Sequence, residues 1–535
     1  MNIRSMQRLA VVVVGCAALI IGTRGIVAGD NDQGDNRFHP GNLVVSRSVY
    51  VGNPTTVTVG DALPPGCVAQ TVNIPLIAGG TTPVNVTCST AIADGTYPAV
   101  FNNDTTDGSF GVTSPIFLDQ MTPHGELMNS IAIDPTQLVT SFSSKSELAL
   151  NLSDDRQSIT FLGYRGGAGF VTGPNQIDVS NSNTPGVVDA SNPVVSQYYR
   201  AVAEVDQNGH VQITENNAYS GNNGRAAIKA GSLYYLTGND NNGGLSKKQL
   251  PLTTTGVNLT TSTGVELVFP GQAPTVPPNI DMIGDFEVTS LGYQADKAGK
   301  DNNFRGLTVF NNTLYVTKGS GGNGINTVYK VGTAGMLPTP ANAPGGDLKK
   351  VPISILPGFP TSLASNTTPP LPRFPFGIWF ANATTLYVAD EGDGTIANAA
   401  TDTESGLQKW IFDGTTWHLA YTLQNGLQLG VAYDVRHRRD EPPYPSPATD
   451  GLRNLTGRVN RDGTVTIWAI TSTVSASGDQ GADPNRLVVI TDRLAATTLP
   501  PDESFETLRT ARYGEVLRGV SFTPGTGLDH NELHQ

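Results

Sequence analysis

The feature that most constrains this chain is an internal repeat. Residues 305–325 read RGLTVFNNTLYVTKGSGGNGI, and residues 376–396 read FGIWFANATTLYVADEGDGTI. Each copy is a strand-like run, a short turn, a second apolar run and a glycine-rich loop. A third copy stands at 225–243, RAAIKAGSLYYLTGNDNNG. Weaker copies are 146–164, SELALNLSDDRQSITFLGY, and the pair LGVAYD (429–434) and TVTIWAIT (464–471). Alternation within the runs has the period of two that strands require.

Each pair is followed by two more strand-like runs: YYRAVAEVD and HVQITENNAY, VELVF and DFEVTSLGY, TVYKVG and VPISIL, LQKWIF and WHLAYTL, RLVVITD and FETLRTARYG. Four strands recurring at this interval are the signature of propeller blades, which bury both faces by stacking radially and keep only short edges. Five copies are complete. The ends supply another: VLRGVSFTPG (516–525) reads as an innermost strand without partners, and NLVVSRSVYV, PIFLDQM and ELMNSIAID as three strands lacking an innermost one. The expectation is an all-β fold, a single β-propeller of six four-stranded blades closed by joining the N- and C-terminal strands, with seven blades as the alternative count.

In this arrangement the insertions fall mostly after the second strand of each blade: 52–114, 165–196, 237–263, 317–326, 389–405 and 472–485. All of these emerge on one face, together with the connections between blades, and the other face is expected to be nearly bare. Loops placed by a rigid scaffold are where binding concentrates. The Arg- and Pro-rich segment RHRRDEPPYPSP (436–447) falls on the bare face in this reading.

The first 29 residues have the layout of a signal peptide: a basic start, the apolar run LAVVVVGCAALIIG, then small residues near Ala28. Lipidation at Cys16, in a lipobox-like Val-Val-Gly-Cys, is the alternative. Residues 30–535 are assigned to the propeller. The run is short for a bilayer span and no second one follows, so a secreted chain, extracellular or periplasmic and monomeric, is expected. Export leaves Cys67 and Cys88 in an oxidising compartment, where a disulfide between them is expected, with ~3 kcal/mol assigned to it by chain entropy. Formal net charge is −13, and no long basic block is present, which argues against nucleic acid as partner. Zinc spacings, nucleophile elbows, phosphate loops and dinucleotide fingerprints are lacking as well.

The stretch FPFGIWFANATTLYVADEGDG resembles the repeats of NHL, YVTN and SMP-30/gluconolactonase-type propellers, which share a Gly-led strand followed by Leu-Tyr-Val-Ala-Asp. In SMP-30-like enzymes an Asp after the second strand helps to hold a divalent metal, and Asp390 matches it. The Asn ligand before the innermost strand is replaced here by Phe376 in Pro375-Phe376-Gly377, while Asn223 and Asn303 are candidate amide-oxygen donors from other blades. Two readings result. One is a secreted binding propeller taking a small anionic ligand or a protein partner on its loop-rich face, with Asn223, Arg225, Asn303, Arg305, Glu515 and Arg518 gathered at the channel mouth. The alternative is a metal-dependent hydrolase of lactonase or phosphotriesterase type, with Ca²⁺ held by Asp390, Glu391 and Asp393, hard oxygen donors in a glycine-containing loop.

Overall fold

The computed structural model describes residues 36–52, 58–63, 67–75, 80–86, 88–90, 112–142, 144, 147–166, 173, 182–185, 197–239, 264–274, 281–284, 303–319, 324–368, 371–441, 443–474 and 481–527. The segment read as a signal peptide lies outside them.

Six four-stranded antiparallel sheets stand around one axis. Blade 1 is the composite: Glu515–Phe522 is innermost, then Leu43–Val49, Ile116–Met121 and Leu127–Ala132. Blade 2 comprises Asn151–Leu152, Ser158–Gly166, Tyr198–Asp206 and Val211–Asn216. Blade 3 comprises Gly224–Ala230, Leu233–Gly238, Val265–Val268 and Asp281–Met282. Blade 4 comprises Phe304–Phe310, Thr313–Lys318, Thr327–Val331 and Ile353–Ile355, and blade 5 Pro375–Asn382, Thr385–Asp390, Gly406–Phe412 and Trp417–Leu423. Blade 6 comprises Ala448–Val459, Thr464–Val474, Arg486–Arg493 and Glu506–Thr510.

The repeat has a packing cause. Residues of the second strands, such as Leu314 and Val316, or Leu386, Tyr387 and Val388, are buried against neighbouring blades. Each pair of adjacent blades shares its own apolar cluster. Near the axis the innermost strands almost touch. A Cβ on Gly306 would lie 2.2 Å from the Phe376 carbonyl oxygen, one on Gly377 2.5 Å from that of Arg453, and one on Gly519 2.5 Å from that of Leu148. Ala149 and Ala226 form a parallel bridge in the same layer, and Asn454 Oδ1 accepts from the Val520 amide at 2.6 Å. Small residues lead these strands because the ring leaves no room for larger ones.

Four sequence expectations change. The innermost strand of blade 6 is Ala448–Val459, not 429–434. Bulges at Asp450 and at Arg453–Asn454 break its alternation and hid it. Segment 429–434 instead lies beside its start, with Leu429 bridging Thr449 and Ala432 bridging Ala448. Segment 436–447 therefore belongs to the connection between blades 5 and 6, on the loop-rich face rather than the bare one. The outer strand of blade 3 is Asp281–Met282, and the expected strand 285–293 lies outside the described residues. Finally, the opposite face is not bare: segments 269–274, 332–352 and 494–505 follow third strands there.

Within the 52–114 insertion, Ala62–Leu63 pairs with Ser89–Thr90, Gln70–Pro75 pairs with Thr81–Val86, and Cys67 is bonded to Cys88 at 1.99 Å. Leu63 packs with Val112, Phe142, Tyr433, Val435 and Tyr444 in one apolar cluster over blades 1 and 6. Among the described residues no helix is long and apolar enough to cross a membrane.

Deleting residues 511–535 is expected to prevent folding. It removes the buried Val516, Leu517, Val520 and Phe522. At about 1.5–3 kcal/mol per buried side chain the loss is roughly 6–12 kcal/mol, against a typical total of about 5–15. A soluble truncated chain with a cooperative melt near that of the full chain would contradict the closure. Cys67→Ser is expected to raise hydrogen exchange in 58–90 and to leave the main melt within a few degrees, because the bond clamps an insertion and not a blade.

Candidate functional site

The loop-rich mouth of the ring is built on one recurring position. Just before the residue where innermost strands touch, which is Ala226, Gly306, Asn454 or Gly519, stand Arg225, Arg305, Arg453 and Arg518 in blades 3, 4, 6 and 1. Phe376 and Leu148 hold that position in blades 5 and 2. All four arginines are buried, at 1–4% exposure, which removes them from the screening of bulk water. Lys318, at the end of the second strand of blade 4, is fully buried and donates from Nζ to Asn326 Oδ1 at 2.8 Å.

Their surroundings differ. Arg518 donates from Nε to Ser48 Oγ at 3.1 Å, and from its two terminal nitrogens to the carbonyls of Ser144 and Phe142. Arg453 pairs with Glu391, Nε to Oε2 at 3.2 Å. The Arg305 guanidinium lies over the Phe376 ring, 5.8 Å from its centre, within cation–π range. Arg225 acts electrostatically on Tyr164, whose hydroxyl donates to Glu147. Glu147 is buried and also accepts from Thr140 Oγ1 at 2.8 Å. Burial and this carboxylate together hold the Tyr164 hydroxyl protonated, far above the ordinary tyrosine range.

The other expected mouth residues divide. Asn223 and Asn303 come together through Asn239, whose amide donates to the Asn223 carbonyl at 2.9 Å and which bridges Asn303. Glu515 starts its innermost strand, yet its carboxylate turns away. It meets Arg47 at 3.1 Å and Arg509 at 3.9 Å, in a network between blades 1 and 6 that includes Asp119.

The acidic loop is also divided. Asp390 is buried; its Oδ2 accepts from the Phe374 amide at 2.8 Å and from Gln408 Nε2 at 3.2 Å, and its Oδ1 from the Gly392 amide at 3.1 Å. Glu391 faces Arg453. Asp393 is exposed and closes the turn before Ile396–Ala399, accepting from the Thr395 amide at 2.8 Å and Asn398 Nδ2 at 2.6 Å. Among the described residues, no three His, Cys, Asp or Glu side chains are grouped so as to hold a metal.

Asp450 was missed by sequence reasoning. It is buried, accepts from the Gly394 amide at 2.8 Å through Oδ2, and its Oδ1 has no hydrogen-bond partner among the described residues. Burial, the largest cause in each case, pushes Asp390 and Asp450 up to about 7. Around neutral pH these carboxyls are therefore incompletely ionised, and they offset the arginine layer less than their number implies. Arg453 was missed for the same reason as Asp450, the misplaced innermost strand. A signal was present: Leu-Arg-Asn-Leu-Thr (452–456) follows the pattern of Phe-Arg-Gly-Leu-Thr (304–308) and Leu-Arg-Gly-Val-Ser (517–521).

No known protein family matches the chain, and no curated protein does. Among solved structures it is similar to an acylaminoacyl peptidase of Pyrococcus horikoshii, at 8% identity and a TM-score of 0.30, over 82% of this chain and 48% of that one. A second likeness, to an ACO/RPE65 chimera, has 9% identity and a TM-score of 0.24, over 86% of this chain and 66% of that one. The chain thus spans less than half the length of the peptidase, and neither likeness carries an argument about function.

The raised carboxyls set a pH dependence. A carboxyl whose folded pKa is raised stabilises the fold below its unfolded value and loses that contribution as pH rises through the folded value. Here the window runs from about 4 to about 7. The melting temperature is expected to fall between pH 5 and pH 8, and the fall to be shallower in Asp450→Asn and Asp390→Asn. Unchanged slopes in both variants would show that these carboxyls do not titrate in that window.

Proposed function

We propose that this protein is an exported binding propeller whose loop-rich mouth takes a small anionic ligand. The observation that carries the reading is the arginine layer: Arg225, Arg305, Arg453 and Arg518 at one structural position around the axis of a chain with net charge −13. Such a layer is costly to bury unless anions face it, and low-dielectric walls focus its field at the mouth. The Cys67–Cys88 bond supports export, and the absence of a recognisable catalytic constellation in the sequence supports binding over chemistry. The hydrolase reading rests on the Leu-Tyr-Val-Ala-Asp resemblance and on the acidic loop of Asp390, Glu391 and Asp393. The Asp390 oxygens are engaged by two backbone amides and Gln408, and Asp393 points to solvent, so the calcium reading gains no converging donors.

Calorimetric titration with inorganic phosphate, sulfate and citrate tests the proposal. At least one of these should bind, and Arg305→Gln should weaken binding on the order of tenfold or more, the scale of one charge-assisted hydrogen bond. Arg305→Lys, which keeps the charge, should lie between native and Gln, and melts should accompany each variant. Absence of binding by the folded native protein, or equal binding by a folded Arg305→Gln protein, would sink the reading. Metal analysis before and after chelation decides the alternative: a stoichiometric Ca²⁺ that raises the melting temperature would favour the hydrolase.

A further inference from the structure

We propose that residues 436–439, Arg-His-Arg-Arg, form a rigid cationic strip that docks an acidic polypeptide segment of a partner protein. The strip belongs to the connection between blades 5 and 6, and that connection is pinned on both sides. Before it, Tyr433 and Val435 are buried, and the Tyr433 hydroxyl donates to the Pro484 carbonyl at 2.7 Å. The Arg486 guanidinium stacks on the Tyr433 ring, 3.6 Å from its centre. After the strip, Tyr444 is buried and its hydroxyl donates to Asp483 Oδ1 at 2.6 Å. The Tyr513 amide donates to the Arg436 carbonyl at 3.0 Å, fixing the strip's own backbone, and the Arg438 amide donates to Glu441 at 2.5 Å.

Between these pins Arg436, His437, Arg438 and Arg439 are all exposed. Among the described residues, the three guanidinium groups make no hydrogen bond or ion pair with the protein. A solvated charge run needs no such anchoring. The backbone that carries the three arginine forks is already ordered, so docking does not have to fix it, and a planar fork matches a carboxylate bidentately.

The rest of the molecule limits the partner. Asp434, Asp440 and Glu441 flank the strip, so the cationic stretch is only four residues long, roughly 13 Å when extended. A net charge of −13 repels any large polyanion whose contact extends beyond the strip by more than a screening length of about 8 Å. Nucleic acid and anionic membrane are such partners. A short run of Asp and Glu side chains touches only the strip. It needs neither the arginine layer nor the mouth, so this inference stands apart from the anionic-ligand reading above.

The test uses the full chain and a fluorescent octaglutamate peptide, followed by anisotropy at about 20 mM and about 500 mM salt. Octaglutamate should bind at low salt and weaken strongly at high salt. The triple variant Arg436→Ala, Arg438→Ala, Arg439→Ala should lose at least tenfold in affinity with an unchanged melt, since all three side chains are exposed. Lys349→Ala with Lys350→Ala, removing exposed cations elsewhere, should have no effect. An oligonucleotide of equal charge should bind more weakly than the peptide. The proposal is overturned by absence of octaglutamate binding, by a triple variant that binds as the native chain does, by equal or tighter oligonucleotide binding, or by loss of peptide binding in Arg305→Gln, which would place the peptide in the mouth. Failure of phosphate, sulfate and citrate all to bind while octaglutamate still does would remove the mouth reading and leave the strip.

Discussion

The pairing of Glu515–Phe522 with Leu43–Val49 is the contact on which the ring depends. Leu43 faces Phe522 and Val49 faces Glu515, so strands from opposite ends of the chain share one ladder. The other five blades are contiguous in sequence and their pairings are local. Closure alone spans nearly the whole chain, and it removes the two strand edges that an open array would present. The ladder is extended by a clasp just beyond it. Thr523 Oγ1 donates to the His39 carbonyl at 2.8 Å, the Gly41 amide to Thr526 Oγ1 at 2.8 Å, and the Gly525 amide to the Arg156 carbonyl at 2.7 Å. This last bond ties the terminal segment to blade 2 as well.

Apolar contact alone does not set the angle between blades, because Leu, Val and Ile pack in many arrangements. Buried polar networks among the described residues add direction at joints between blades. Between blades 5 and 6, the fully buried Lys409 ammonium donates to Asp492 at 2.8 Å, the Tyr421 hydroxyl at 2.9 Å and the Arg493 carbonyl at 2.7 Å, which uses all three of its protons. Asp492 in turn accepts from the hydroxyls of Tyr387 and Tyr421. Between blades 2 and 3, Glu204 accepts from Lys229 at 2.6 Å and from the Tyr234 hydroxyl. Between blades 6 and 1, Asp119 accepts from both Arg47 and Arg509. A buried pair of this kind gives little net stability, but a misaligned blade would leave a charge without its partner. The networks thus select one ring geometry among those the apolar clusters permit.

The blade count and the composite blade were legible because both depend on local pattern: period-two alternation, Leu-Tyr-Val strands and glycine-rich loops. The innermost strand of blade 6 was not legible, since Asp450, Arg453 and Asn454 interrupt its alternation, and those residues are placed by tertiary contacts with Gly392, Glu391 and Val520. The direction of Glu515 was hidden too. Nothing adjacent in sequence reports that Arg47 lies across the ladder from it. Arg200 shows the same limit. It reads as an ordinary residue in an alternating strand, yet it is fully buried and donates to the carbonyls of Tyr198, Ser182, Tyr219 and Asn222. Such an arginine holds the start of blade 3 against the loop of blade 2, and only the fold shows that three segments meet there.

The distinction between arginines bears on the mouth. Arg200 and Arg518 place donors on backbone carbonyls and on the hydroxyls of Ser182 and Ser48. Arg453 meets a carboxylate, and the Arg305 guanidinium lies over the face of Phe376. Carbonyl oxygens, an aromatic face and a carboxylate thus each hold one of these guanidinium groups in place. The carboxyls that would otherwise neutralise their charge, Asp390 and Asp450, are buried in the same region and raised to about 7. One cause lies behind both effects. Exclusion of water disfavours the ionised carboxyl and, at the same time, reduces the screening of the guanidinium groups. Raising the pH through 7 would ionise the carboxyls and weaken the cationic character of the mouth, so the group that lowers stability on deprotonation is also one that would compete with an incoming anion.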